Sequence, residues 1–212
     1  MSRVEDKVVS NQTFVIRYKI LKDSVNISES YNFIWWAPQK SATRTSAQIL
    51  SVYGCKYNER PIFLSHTMTS CNFTSNCTLP QGLENYLLII NSRNPYARTY
   101  SIFKSCFNGC FIKDKENFTK FLYDGLHWSG LKESIVNPPK PNKEFINIRT
   151  ENIRNDFNKL PFLNEKLTEK QVDLILEPTK PSTDWERFYT KESREIVYKL
   201  TEHQFELFGY KK

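Results

Sequence analysis

Tyr86-Leu-Leu-Ile-Ile90, running on into Asn91-Ser-Arg-Asn-Pro95, is the stretch that decides the fold. Five residues without a polar alternation read as a strand covered on both faces, which is the signature of a parallel sheet flanked by helices. Pro95 suits the first turn of a helix and starts one through Tyr100 and Phe103 to about Asn108. A strand followed at once by a helix is half of a βαβ unit.

Upstream, Tyr31-Asn-Phe-Ile-Trp-Trp-Ala37 is a second compact apolar run, ended by Pro38. The stretch from Gln39 to Gly54 carries Ala47, Ile49, Leu50 and Tyr53 on one helical face, with Thr43 and Thr45 as capping residues and Gly54 as the stop. Ile62-Phe-Leu64 predicts a further short strand ending at Ser65-His66. Downstream, Phe118, Phe121, Leu122 and Leu126 predict a helix over 116–126. Glu144-Phe-Ile-Asn-Ile148 predicts a strand, and Thr150 a cap for a helix containing Ile153, Phe157 and Leu160, with Glu151 at its positive end. Residues 161–185 look irregular apart from an ordered Val172–Leu176, and a last helix runs from Thr190 to Leu207, closed by Gly209. The expected architecture is therefore α/β, three layers about a mostly parallel central sheet. Residues 1–30, with the alternating Phe14–Ile20, form an arm or edge strand, and 31–212 form one domain.

Composition narrows the class. Fifteen Phe, eleven Tyr and four Trp among 212 residues supply a large core and exclude a disordered chain. No run approaches the length of a membrane span, and the polar start MSRVEDKVVSNQ shows no secretory h-region, so a soluble, cytoplasmic protein is expected. Cys55, Cys71, Cys77, Cys106 and Cys110 are odd in number and include no CxxC pair. Reduced thiols and no metal site follow. Five Asn-x-Ser/Thr sequons, at Asn11, Asn26, Asn72, Asn76 and Asn117, read as incidental in a chain rich in these residues. The net charge of +7 favours an anionic partner or a simple Lys-rich surface.

The chemistry concentrates at two strand-to-helix junctions. In Ala37-Pro-Gln-Lys-Ser-Ala-Thr-Arg-Thr45, backbone N–H groups and a helix dipole meet side chains of Lys40, Ser41, Thr43, Arg44 and Thr45. That is an anion cradle suited to phosphate, although GxxxxGK[ST] is absent. In the second junction Arg93 leaves the C-terminal end of the strongest strand and Ser101 follows eight residues later. Ligands of open α/β sheets bind at that edge. Each junction, taken alone, is equally an ordinary βα turn with surface cations.

Taken together, the two junctions resemble the sulfotransferases that use 3′-phosphoadenosine 5′-phosphosulfate (PAPS). Lys40-Ser-Ala-Thr-Arg-Thr45 is similar to their 5′-phosphosulfate loop, and Arg93-Asn-Pro-Tyr…Ser101 to their 3′-phosphate motif. Three further stretches resemble the carbohydrate members: Phe118…His127-Trp128, Ile148-Arg-Thr-Glu-Asn152…Asp156-Phe157, and Tyr189…Ile196-Val-Tyr198…Phe205-Glu-Leu-Phe-Gly-Tyr210. The resemblance implies a P-loop-like strand-loop-helix and sulfuryl transfer to a hydroxyl or amine, on a carbohydrate. Lys40 would stabilise the leaving group, and Ser41, Ala42, Thr43, Arg44 and Thr45 would hold the 5′-phosphate. Arg93 and Ser101 would hold the 3′-phosphate. It implies His66 as the base, with His127 and Glu151 as alternatives, and no metal. Many members have Gly where Ala42 stands, so Ala42 is expected to keep a negative φ. Golgi members carry an N-terminal anchor that is absent here, so a soluble microbial or viral relative is expected. His203 is expected on the surface, and Lys180 and Ser182 as closing over the nucleotide. The competing classes are a non-catalytic nucleotide- or polyanion-binding module of the same fold and a nucleic-acid binder. The second lacks any recognised motif.

Overall fold

The computed structural model describes residues 24–55, 84–106, 115–126, 144–176 and 183–212. Within them, four strands form one open sheet: β1 (Ser24–Ser28), β2 (Phe33–Ala37), β3 (Leu87–Ser92) and β4 (Phe145–Arg149), in the spatial order β1-β2-β3-β4. β1 runs antiparallel to β2, with Ile27 opposite Ile34. The pairs β2–β3 and β3–β4 are parallel, with Trp35 beside Ile89 and Ile89 beside Ile146. The chain is therefore α/β with a mostly parallel sheet, whose antiparallel edge strand is Ser24–Ser28. The Phe14–Ile20 and Ile62–Leu64 stretches lie outside the described residues.

Strand periodicity of two sorts the apolar residues onto two faces. Phe33, Trp35, Ala37, Ile89 and Ile148 point to one. There they meet Ile49, Leu50 and Tyr53 of α1 (Thr43–Ser51) and its following turn, then Phe157 from α4 (Ile153–Phe157) and Val172 from α5 (Glu169–Ile175). Ile34, Trp36, Leu88 and Ile90 point to the other face and meet Phe208 at the end of α6 (Lys191–Phe208). Both faces of β2 and β3 are thus covered, which is why neither strand alternates in sequence. A third cluster joins α2 (Pro95–Cys106), α3 (Lys115–Leu126) and α6 through Tyr96, Tyr100, Phe103, Phe118, Phe121, Tyr189 and Phe205. Of the described aromatic residues from Phe103 to Tyr123, Phe103, Phe118 and Phe121 belong to this core and Tyr123 is exposed.

Two helices start on self-contained capping chemistry, one of them read from sequence and one not. Thr190 and Ser193 form a reciprocal capping box at the start of α6, and Gly209 ends it at φ 69°. α5 has a capping box of its own from Thr168 and Gln171, inside the stretch that reads as irregular. Two expected caps are not made. Thr43 donates its hydroxyl to Pro38 O at 3.1 Å, and the N-cap of α1 is Ala42, which supplies no side-chain cap. Thr150 donates to Ser92 O at 2.9 Å and opens a 3₁₀ turn, Thr150–Asn152, ahead of α4. In both cases a backbone carbonyl outside the helix outcompetes the cap.

Among the described residues no helix is long and apolar enough to cross a membrane. Cys55 is a free, buried thiol, and burial pushes it up to about 12. Asn26 and Ser28 of the Asn26 sequon are both buried in the edge strand, which closes that sequon to a glycan. His203 is partly buried on α6 rather than on the open surface.

Candidate anion site at the carboxyl edge of the sheet

Because β2, β3 and β4 are parallel, the segments that follow them gather at one edge. Residues 38–42 follow β2, residues 93–94 follow β3, and the Thr150–Asn152 turn follows β4. Lys40 and Arg93 meet there: Arg93 Nη1 donates to the Lys40 carbonyl at 3.3 Å.

That bond is one of a series. Pro38 O accepts from the hydroxyls of Ser41 and Thr43. Gln39 O accepts from Arg98 Nε at 2.9 Å, Lys40 O from Arg93, and Ser41 O from Asn91 Nδ2 at 2.7 Å. Four successive carbonyls are thus each held by a side chain, three of them by residues of β3, α2 and the junction between them. In a trans peptide the N–H points opposite to the C=O, so the N–H groups of 39–42 are turned away from those donors. Lys40 at φ 62° and Ala42 at φ 56° flank Ser41, which is not left-handed. Alternation of this kind aims successive N–H groups into a common concavity that suits an anion.

The anchors are buried. Asn91 is 0% exposed; its Oδ1 accepts from Trp35 Nε1 at 2.9 Å and its Nδ2 also donates to Ser46 Oγ at 2.6 Å. Arg98 is 2% exposed. Ser101 is partly buried and follows Arg98 by three residues, which puts both on one face of α2. Thr43, Arg44 and Thr45 form the first turn of α1, which has no acidic residue and no side-chain cap. Its positive end is therefore not neutralised by the helix itself. The start of α2 differs, because Asn94 Oδ1 accepts from the N–H groups of Tyr96 and Ala97 at 3.0 and 3.2 Å.

Ala42 does not keep a negative φ: it is left-handed at 56°. The loop shape demanded by its four held carbonyls overrides the preference of a residue with a Cβ. That conformation costs a non-glycine residue roughly 1–2 kcal/mol, offset in part by the flexibility that glycine adds to the unfolded chain. Ala42→Gly is expected to raise stability by about 1 kcal/mol, read as an increase of ~2–4 °C in Tm by calorimetry. A fall in Tm would show that the strain is not there.

Electrostatics centre on Arg93. Burial lowers its guanidinium below the ordinary value, while the Glu151 carboxylate and the Tyr210 oxygen pull it back up. Glu151 accepts from Asn94 N–H at 2.8 Å through one oxygen and from Tyr210 O–H at 2.9 Å through the other. Burial first, and then the Glu151 charge, raise the Tyr210 phenol far above its usual range, so it is a proton donor at any physiological pH. On the other side of the turn, Asp156 accepts from Arg149 Nε at 2.9 Å and Lys159 Nζ at 2.6 Å.

Of the residues singled out from sequence, Lys40, Ser41, Ala42, Thr43, Arg44, Thr45 and Arg93 gather at this edge, with Ser101 further along α2. His66, His127, Lys180 and Ser182 lie outside the described residues. Sequence reasoning missed Asn91, Arg98 and Tyr210. A polar Asn closing an apolar strand and an Arg on an otherwise buried helix face were the available signals for the first two. No family model, curated protein or solved structure matches the chain.

Proposed function

We propose that the chain is a PAPS-dependent sulfotransferase acting on a hydroxyl or amine of a carbohydrate, with residues 37–45 as a P-loop-like phosphate cradle. The observation that carries this reading is the meeting of Arg93 with the Lys40 loop, 3.3 Å from guanidinium to carbonyl, at the carboxyl edge of the sheet. A donor phosphorylated at both ends needs two cationic grips at one cleft, and a single βα turn offers only one. In the transfer, the bond between sulfur and the bridging phosphate oxygen breaks as the acceptor oxygen or nitrogen bonds to sulfur. The acceptor proton goes to a base, and 3′-phosphoadenosine 5′-phosphate (PAP) leaves with the charge that Lys40 meets. Both carboxylate oxygens of Glu151 already accept hydrogen bonds, which makes it a poor base and favours the histidines, His66 first. The surplus of +7 suits the anionic donor.

Calorimetric titration with PAP and with AMP tests the proposal. Wild type is expected to prefer PAP by about 30-fold, the worth of one charge-assisted phosphate contact of ~2 kcal/mol. Arg93→Ala is expected to erase that preference while AMP affinity drops no more than about threefold. Equal affinity of the wild type for the two nucleotides defeats the proposal. PAP binding without PAP release from PAPS, across a panel of glycans, would make the chain a binding module instead.

A further inference from the structure

Tyr210 is delivered to the site by the way α6 ends. Gly209 N–H bonds to Glu206 O at 3.4 Å and Tyr210 N–H to Phe205 O at 3.0 Å, the paired bonds of a Schellman motif. The phenol then reaches the end of β3. It donates to Glu151 Oε2 at 2.9 Å and lies 3.2 Å from Ser92 Oγ. Its single proton serves the carboxylate, which can only accept, while Ser92 gives its own to Asn147 Oδ1 at 2.6 Å. The other Glu151 oxygen is taken by Asn94 N–H. Ser92 and Asn94 flank Arg93 in sequence. Arg93 therefore lies in the chain between a residue lying against the phenol and a residue bonded to the carboxylate that the phenol holds, and its guanidinium feels the charge of that carboxylate.

A carboxylate beside Arg93 competes with any phosphate for the same cation. Held on both oxygens, Glu151 has a fixed place and part of its charge is engaged. Released on one side, it is free to swing toward the guanidinium. We propose that Tyr210 is a positioning residue, whose hydroxyl holds Glu151 in place so that Arg93 stays open to the 3′-phosphate of the nucleotide. This inference rests on the sulfotransferase proposal and adds a specificity device to it, in which a residue just past the end of α6 governs recognition of one phosphate.

The test is a double-mutant cycle of PAP and AMP affinities by calorimetry. Tyr210→Phe keeps the packed ring and loses only the hydroxyl. It is expected to bind PAP about tenfold more weakly, with AMP unchanged within about twofold. Glu151→Gln removes the competing charge and is expected to bind PAP about threefold more tightly. In the Glu151→Gln background, Tyr210→Phe is expected to cost nothing further. A merely structural role for the phenol would instead lower both affinities in both backgrounds. Wild-type preference for PAP with the same preference in Tyr210→Phe overturns this inference alone, as does a tenfold loss that persists without the carboxylate. Absence of any preference in the wild type overturns the sulfotransferase proposal and this inference with it. If Tyr210→Phe does not fold, weaker PAP binding by Glu151→Gln overturns the inference.

Discussion

Lys40→Ala is expected to lower the rate of PAP release from PAPS by about 10³-fold while PAP affinity changes by no more than roughly fivefold. Removing one preorganised donor to a developing oxyanion costs about 10²–10³ in rate. Here the donor carries a full charge and stands on a loop whose four carbonyls are already held, so little reorganisation remains to be done at the moment of transfer. The substitution isolates the side chain. Lys40 is left-handed at φ 62°, and alanine bears the same backbone cost there as lysine. The bond from Arg93 goes to the Lys40 carbonyl and survives the change. A split between rate and affinity is therefore the signature of a group that acts in the transition state. Equal losses in both would make Lys40 a simple phosphate ligand. An unchanged rate would remove it from the chemistry.

The sheet was legible because its order comes from burial. β2 and β3 are covered on both faces, and a strand buried on both faces has to be apolar throughout, so Phe33-Ile-Trp-Trp-Ala37 and Leu87-Leu-Ile-Ile90 declare themselves without partners. A helix start was legible at Thr190 and Ser193, where both capping partners lie within three residues of each other, whereas the same local pattern at Thr168 and Gln171 was hidden by its irregular surroundings. Helix starts were not legible where the competitor is distant. Thr150 gives its proton to Ser92, which lies 58 residues earlier, and no local pattern records that.

The site divides in the same way. Cations at strand ends can be read directly, since the parallel order alone sends Lys40 and Arg93 to one edge. What shapes the loop is hidden. Asn91 and Arg98 act on carbonyls 50 and 59 residues away, and the left-handed φ of Ala42 follows from those bonds rather than from its own identity. Tyr210 reaches its carboxylate across 59 residues, through a helix terminus whose glycine announces only that the helix stops.

The turn that carries Glu151 has its own lock, and breaking it gives the largest expected loss of stability. The Asp156 side chain is 0% exposed and accepts from Arg149 N–H and Nε, Asn152 Nδ2 and Lys159 Nζ, with Arg149 Nη2 at 3.1 Å closing a bidentate pair. Burial alone would push this carboxyl up. The Arg149 and Lys159 hydrogen bonds outweigh it and hold the group down at about 2. An unfolded aspartate titrates near 3.9, roughly two units higher, so the network contributes about 2.6 kcal/mol of stability. The folded value lies below the unfolded one. The contribution is therefore complete above about pH 5 and is lost as pH falls toward 2. Asp156→Asn sets an amide against five donors and leaves Arg149 and Lys159 facing no charge. The expected cost at pH 7 is about 3 kcal/mol by urea unfolding, a large share of an ordinary domain's ~5–15 kcal/mol. The gap between wild type and variant should narrow by about 2 kcal/mol between pH 5 and pH 2, because the wild type loses there what the variant never had. A gap that stays constant across that window would mean the carboxylate is not the source of the loss. Glu151 lies inside the turn that Arg149 and Asp156 close, so the same variant should also bind PAP more weakly at pH 7 while still folded.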